Sequence, residues 1–213
     1  MSQYQPAHFV EADPVRQHAL IRACPLGTLI TRGADGEPVA DRVPFWLDTP
    51  EGAPVRLRAH VARANPLWRV HPAERDVLVV FHGPDAYISP NWYPGKAEHG
   101  KAVPTWNYAM VQARGSLRVV DGDTDWLRAL LEPLTDHHEA DQPRPWRMAD
   151  APPDYLAAML RAVVGLEISV TQLSGKFKLS QNQPPANREG VRAGLAASAK
   201  PLAASTLHWM PPD

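Results

Sequence analysis

The densest concentration of reactive and ligand-binding side chains is Ser89-Pro-Asn-Trp-Tyr-Pro-Gly-Lys-Ala-Glu-His-Gly-Lys-Ala-Val-Pro-Thr-Trp-Asn-Tyr108. In it Trp92, Tyr93, Trp106 and Tyr108 interleave with Lys96, His99, Lys101, Thr105 and Asn107. Aromatic faces beside cationic and amide donors suit a flat, anionic, heteroaromatic ligand, and an ordered loop pinned by its tryptophans is the plainer alternative. A second group, His60-Val-Ala-Arg63-Ala-Asn65-Pro66, falls where a strand gives way to a short helix. Backbone amides at a helix start, with Arg63 and His60 alongside, make a phosphate cradle. Helix capping alone would also explain Asn65. A third group, Lys176-Phe-Lys178-Leu-Ser180-Gln181-Asn182, supplies two ammoniums and three uncharged polar side chains after a strand. Such a set can grip phosphate, hydroxyls or a ring edge, or simply solvate a strand end.

Other chemistries are excluded by specific residues. Gly95-Lys-Ala-Glu-His-Gly-Lys-Ala102 matches most of the G-x-x-x-x-G-K-[ST] phosphate loop. Ala102, however, has no hydroxyl for magnesium, Pro104 interrupts the required helix, and no apolar strand precedes Gly95. His137-His138-Glu139 sits at a helix end, where adjacent histidines point about 100° apart, so a dipole interaction explains them better than a metal. No metal site is expected. There is no G-x-S-x-G, and Cys24 beside Pro25 reads as packed rather than nucleophilic. As the single cysteine of the chain it excludes an intramolecular disulfide and suits a reducing, cytoplasmic location. With 22 basic and 23 acidic residues and a formal charge of −1, a non-specific polyanion binder is disfavoured. No cationic leader and no run of about 18 apolar residues is present, so no membrane association is expected.

The elements that must position these groups alternate with 23 prolines, which fall between apolar runs and punctuate them. Asp13-Pro14 caps a helix running to Cys24. Short strands are expected over Gly27 to Arg32, Val39 to Leu47, Val55 to Ala62 and Val77 to His82. Asn65-Pro66 opens a short helix through Trp68 and Arg69, too short for a parallel crossover. Thr105 to Val120 reads as one or two strands broken near Gly115. Asp123 or Thr124 caps a helix that Pro133 would shorten or kink. A second helix is expected from Pro153 to Val164, stopped by Gly165. Leu166 to Leu173 returns as a strand, an Ala-rich helix follows Asn187, and Ala199 to Asp213 reads as a loose tail. Strands, then two helices, then a closing strand describe an α+β, barrel-like domain of antiparallel strands.

The sequence resembles the PaiB family of FMN-binding proteins, often called negative transcriptional regulators. The resemblance is carried by Pro25-Leu-Gly-Thr-Leu29, Pro44-Phe45, His60-Val-Ala-Arg-Ala-Asn-Pro66, Gly83-Pro-Asp-Ala-Tyr-Ile-Ser-Pro90, Trp92-Tyr93, Val103-Pro-Thr-Trp-Asn-Tyr108 and Lys178-Leu-Ser-Gln-Asn182. It implies a single FMN-binding split-barrel domain over residues 1–195, an antiparallel Greek-key β-barrel with peripheral helices, followed by a C-terminal extension over 196–213, and dimerisation such that each flavin lies at the subunit interface. It implies further that His60, Arg63 and Asn65 hold the phosphate end. Thr105, Trp106 and Asn107, with Lys178, Ser180, Gln181 and Asn182 contributed by the facing subunit, would line the ring. Backbone groups near Ile30 and Phe45 would meet the isoalloxazine edge, and Trp92, Tyr93, Lys96, His99 and Tyr108 would contact substrate. The chain carries Arg42 and Gln112 where the family commonly has His, Gly95 where it has Ser, and Gln183 where it has Arg.

Three functions are consistent with this. The first is an FMN-dependent oxidoreductase acting on a small molecule. The second is a regulator acting indirectly or through a partner, since neither a helix-turn-helix nor a basic stripe is present for direct duplex binding. The third is a haem protein on the same scaffold, with His60, His82 or His99 as axial ligand.

Overall fold

A computed structural model describes residues 4–33, 35–69 and 76–211, without the side chains of Glu98 and His99. Eight strands and six helices follow one another as β1 (Val10–Glu11), α1 (Pro14–Ala23), β2 (Leu26–Arg32), β3 (Pro38–Pro44), β4 (Trp46–Asp48), β5 (Arg56–Ala62), β6 (Asp76–Ile88), α2 (Gly95–His99), β7 (Thr105–Val120), α3 (Thr124–Glu139), α4 (Pro153–Arg161), β8 (Val163–Lys178), α5 (Pro185–Ala196) and α6 (Ala203–Trp209). The strands form one antiparallel sheet in the order β3-β2-β6-β7-β8-β5-β4, with β1 paired to β8. The hydrogen-bonded path does not close between β3 and β4.

The chain divides into two compact units that share the three long strands. The first comprises residues 1–24, 81–112 and 174–213, and the second 25–80 and 113–173. In the second unit the core includes Leu29, Leu57, Val79, Leu117 and Ile168, joined by the cluster of Leu127, Met148 and Leu160 under Trp126. In the first unit Leu20, Ile21, Phe81, Ile88, Phe177, Val191 and Leu195 are buried. β5 shows why strands form here. Leu57, Ala59 and Val61 are buried while Arg56, Arg58 and His60 are half-buried on the opposite face, the two-residue period of a pleated strand.

Several boundaries depart from the sequence reading. The Asp13 carboxylate accepts from Val15 N (2.9 Å), as expected of the cap of α1, and Asp123 does the same for α3 through Trp126 N. Pro133 does not shorten α3, which continues to Glu139. The Val39 to Leu47 strand is two strands interrupted at Phe45, whose ring is buried and whose amide donates to the Pro25 carbonyl. β6 extends through Gly83-Pro84 to Ile88, and β7 runs unbroken through Gly115, which passes close to the Ser169 carbonyl. Gly165 does not stop α4; that helix ends at Arg161, and Gly165 lies inside β8 beneath the Trp126 ring. The expected loose tail contains α6, with Ala203, Thr206 and Met210 buried. In the turn read from Ala34-Asp35-Gly36, Ala34 lies outside the described residues.

Candidate functional site

In the second unit, strand alternation places His60 on the β5 face that also carries Arg56 and Arg58. Burial lowers its imidazole pKa, so the ring is neutral over a wider range, and its buried Nδ1 finds no hydrogen-bond partner among the described residues. The turn that follows is saturated by the chain itself. Arg63 N donates to Ala162 O (2.8 Å), Asn65 N to Ala62 O (2.9 Å), and Leu67 N to the Asn65 side-chain oxygen (2.9 Å), capping the 3₁₀ turn Pro66–Arg69. The Arg63 guanidinium donates to Asp121 Oδ1 (2.7 Å) and to Arg161 O (2.8 Å). Their mutual hydrogen bond raises the Arg63 pKa and lowers that of Asp121. Ile30 lies mid-strand between Ala40 of β3 and Leu78 of β6, so its backbone faces a neighbouring strand on either side.

In the first unit, β7 places Thr105 and Asn107 on one face and Trp106 on the other. Lys178, at the end of β8, donates to Thr105 Oγ1 and to Trp106 O (2.9 Å). Its ammonium pKa is lowered, first by burial and then by the nearby Lys176. The chain next turns through Ser180, buried and held at φ 67°, a left-handed conformation that L residues adopt at a cost of about 1–2 kcal/mol. Asn107 Nδ2 donates to Ser180 Oγ (3.0 Å), and that hydroxyl lies 3.1 Å from Asn107 Oδ1. Strain held by a buried polar network is characteristic of a site whose side chains must point one way. Thr105, Asn107, Lys178 and Ser180 line a cavity of about 240 Å³ together with Tyr93, Lys96, Lys101, Asn182 and others.

Residues 3–172 match the family described as "Putative FMN-binding domain". This chain belongs to that family. A protein from Bacillus subtilis called "Protease synthase and sporulation protein PAI 2" is 32% identical over 209 residues, covering 97% of this chain and 96% of its own. Among solved structures, the flavocytochrome Anf3 from Azotobacter vinelandii shares the fold with a TM-score of 0.61 at 17% identity, over 83% of this chain and 72% of that one. The FAD and heme binding protein from Mycobacterium smegmatis gives a TM-score of 0.54 at 20% identity, over 80% and 73%. The fold is the flavin-binding split barrel, with an open hydrogen-bonding path in this chain.

Within the FMN-binding domain the expected residues are sorted by their faces. Thr105, Asn107, Lys178, Ser180 and Asn182 are brought to one cavity, and Tyr93 and Lys96 join them. Gln181 is turned inward, donating to Phe177 O and accepting from Leu179 N (2.5 and 2.6 Å), so it closes the turn instead of lining the cavity. Trp106 and Trp92 line a separate apolar cavity with Tyr87 and Lys200. The Tyr108 ring lies 5.7 Å from the Lys176 ammonium. His99 belongs to α2, and its side chain lies outside the described residues. His82 lines a third, mostly apolar cavity of about 710 Å³ with Cys24 and His208. Among the described residues no group of three or more His, Cys, Asp or Glu is placed to hold a metal ion. Sequence reasoning did not single out Gln183 or Asn187 as lining residues; their one signal was the polar run that continues past Asn182 to the start of α5. It also missed Asp121, whose partner lies 58 residues away. Among the described residues no helix is long and apolar enough to cross a membrane.

Proposed function

We propose that this chain is an FMN-dependent oxidoreductase acting on a small molecule, working as a homodimer with the flavin at the subunit interface. The observation that supports it most is a built, lysine-rich polar cavity in a chain that matches an FMN-binding domain. The donor set fits the cofactor. His60 has a buried ring nitrogen without a partner, and the Lys178 ammonium has only uncharged oxygens as hydrogen-bond partners. Bound FMN supplies hydride or electron transfer, and the protein supplies binding, orientation and exclusion of water. In this reading His60, Arg63 and Asn65 hold the phosphate end, Arg63 exchanging the Asp121 carboxylate for the ligand. Thr105, Asn107, Lys178, Ser180 and Asn182 of the facing subunit would meet the ring and donate hydrogen bonds to its polar edge.

The experiment is an absorption spectrum of purified protein after loading with FMN and desalting, for the native chain and Arg63→Ala. Retained flavin bands, reduced in the variant, are expected. Flavin content unchanged in Arg63→Ala would remove Arg63 from the phosphate site. A Soret band after haemin, with no retained flavin, would move the function to haem, and His82 would be the first ligand to replace.

A second reading, a regulator acting indirectly or through a partner protein, is favoured by the likeness to "Protease synthase and sporulation protein PAI 2" along almost the whole chain. The formal charge of −1 disfavours direct duplex binding.

A further inference from the structure

We infer that the cavity between Tyr87, Trp92 and Trp106 binds an uncharged, planar aromatic molecule of one or two rings. The inference goes beyond the redox reading and does not depend on it. Three separate elements each bring one ring to this cavity: Tyr87 from β6, Trp92 from the 3₁₀ turn Pro90–Trp92, and Trp106 from β7. Neighbouring cavities are lined differently. The lysine-bearing one has Tyr93 as its aromatic wall, and the one beside Cys24 has a single indole, Trp209, with its histidines.

Packing fixes the three rings before anything binds. Tyr87 and Trp106 meet edge to face, with centroids 6.0 Å apart and planes at 77°, inside the roughly 4.5–7 Å range that aromatic pairs favour. The turn carrying Trp92 is capped by Ser89, whose Oγ accepts from Asn91 N (3.2 Å). That turn lies against α5, because Gly190 and Gly194, about one helical turn apart, have no side chains to keep it away. A Cβ on Gly190 would come within 1.9 Å of the Trp92 carbonyl oxygen, and one on Gly194 within 2.2 Å of its indole ring. Trp106 nevertheless stays 53% exposed, so the fold orients a large apolar surface that it does not cover and that an incoming ring would bury.

Charge selects among aromatic ligands. One acid, Asp85, and one base, Lys200, belong to the otherwise largely apolar wall, and the Lys200 ammonium lies 5.3 Å from the Tyr87 ring centroid. Neither sign is in excess, so a charged ligand would meet repulsion as well as attraction while losing its hydration to apolar walls. A volume of about 280 Å³ lies just under the roughly 300–1,000 Å³ of sites for drug-sized molecules, which suits one or two rings. Strand alternation puts Trp106 on the opposite face of β7 from Thr105 and Asn107, so the occupant is a second molecule beside the flavin.

Calorimetric titration with 2-naphthol at pH 7 tests the cavity, on flavin-free and on FMN-loaded protein. Binding is expected in both, several-fold tighter than that of decahydro-2-naphthol, its saturated and non-planar analogue. Trp106→Leu keeps apolar bulk but removes a ring, and should weaken 2-naphthol binding about tenfold; Tyr87→Leu should weaken it several-fold. More than half of the Trp106 side chain is exposed, so its variant decides the matter if Tyr87→Leu fails to fold. Absence of binding, equal binding of the two alcohols, or native affinity in Trp106→Leu overturns the inference. Loss of 2-naphthol binding on loading with FMN also overturns it, since the cavity would then be part of the flavin seat. Binding of 2-naphthol by a protein that cannot be loaded with FMN would overturn the redox reading and leave the aromatic cavity standing.

Discussion

The turn after β5 and the turn after β8 both put basic and amide side chains at a strand end, yet they are satisfied in opposite ways. At Arg63 and Asn65 the chain supplies its own partners: a carboxylate, a helix-end carbonyl and a capped amide. At Lys178 and Ser180 the polar network is closed among uncharged groups and the ammonium keeps an unbalanced charge. The first arrangement is complete without a ligand, and the second is held in shape but electrostatically unfinished. Basic residues at a strand end therefore mark a binding site only when their counter-charges are known.

The two units can be broken separately. Each contains a tryptophan laid on a glycine: Trp126 on Gly165 in the second and Trp92 on Gly194 in the first, where an added Cβ would lie 2.3 and 2.2 Å from ring atoms. Gly165→Ala and Gly194→Ala are each expected to destabilise by about 1–3 kcal/mol or more in urea titrations, although alanine ordinarily strengthens a helix such as α5. Only Gly194→Ala should also weaken FMN binding, because Trp92 precedes the cavity residue Tyr93. Equal effects on binding would dissolve the distinction between the units.

Ser180→Ala should cost about 1–3 kcal/mol by leaving the buried Asn107 amide short of a partner while keeping the left-handed backbone. Ser180→Gly should cost less, because it relieves that backbone. The reverse order in thermal unfolding would show that the strain is not stored there. A subtler effect is expected of Asp121→Asn, which releases Arg63. If Arg63 holds the FMN phosphate, FMN affinity rises about two- to fivefold in fluorescence titration. An unchanged affinity would leave the ion pair as structure only.

The smallest effects concern pH. His60 has a folded pKa below its unfolded value near 6.5, so its neutral form stabilises the fold above that pH, and the contribution is lost as pH falls through the folded pKa. His60→Gln should flatten the acid side of a stability–pH profile. Lys178 titrates below an ordinary lysine, so FMN affinity should fall off earlier on the alkaline side than in Lys178→Arg.

Much of the fold was legible along the chain. Asp13-Pro14 and Asp123 announced their helices because a cap is a local hydrogen bond, and β5 announced itself by alternation. The family was legible too, through words such as His60 to Pro66 and Val103 to Tyr108. Misread elements were those in which a distant side chain changes what a residue is for. Gly165 has the look of a helix stop, but Trp126 requires it in a strand. The Ala-rich tail lacks a strong apolar stripe, yet Thr206 is buried and bonded to the Leu202 carbonyl. In the candidate site, sequence supplied the residue types, and strand alternation alone separated Trp106 from Thr105 and Asn107. Only the tertiary structure decided that Asp121 reaches Arg63 and that no described carboxylate reaches Lys178 or Lys96, because a counter-charge such as Asp121 is matched in space across 58 residues and leaves no trace in local spacing.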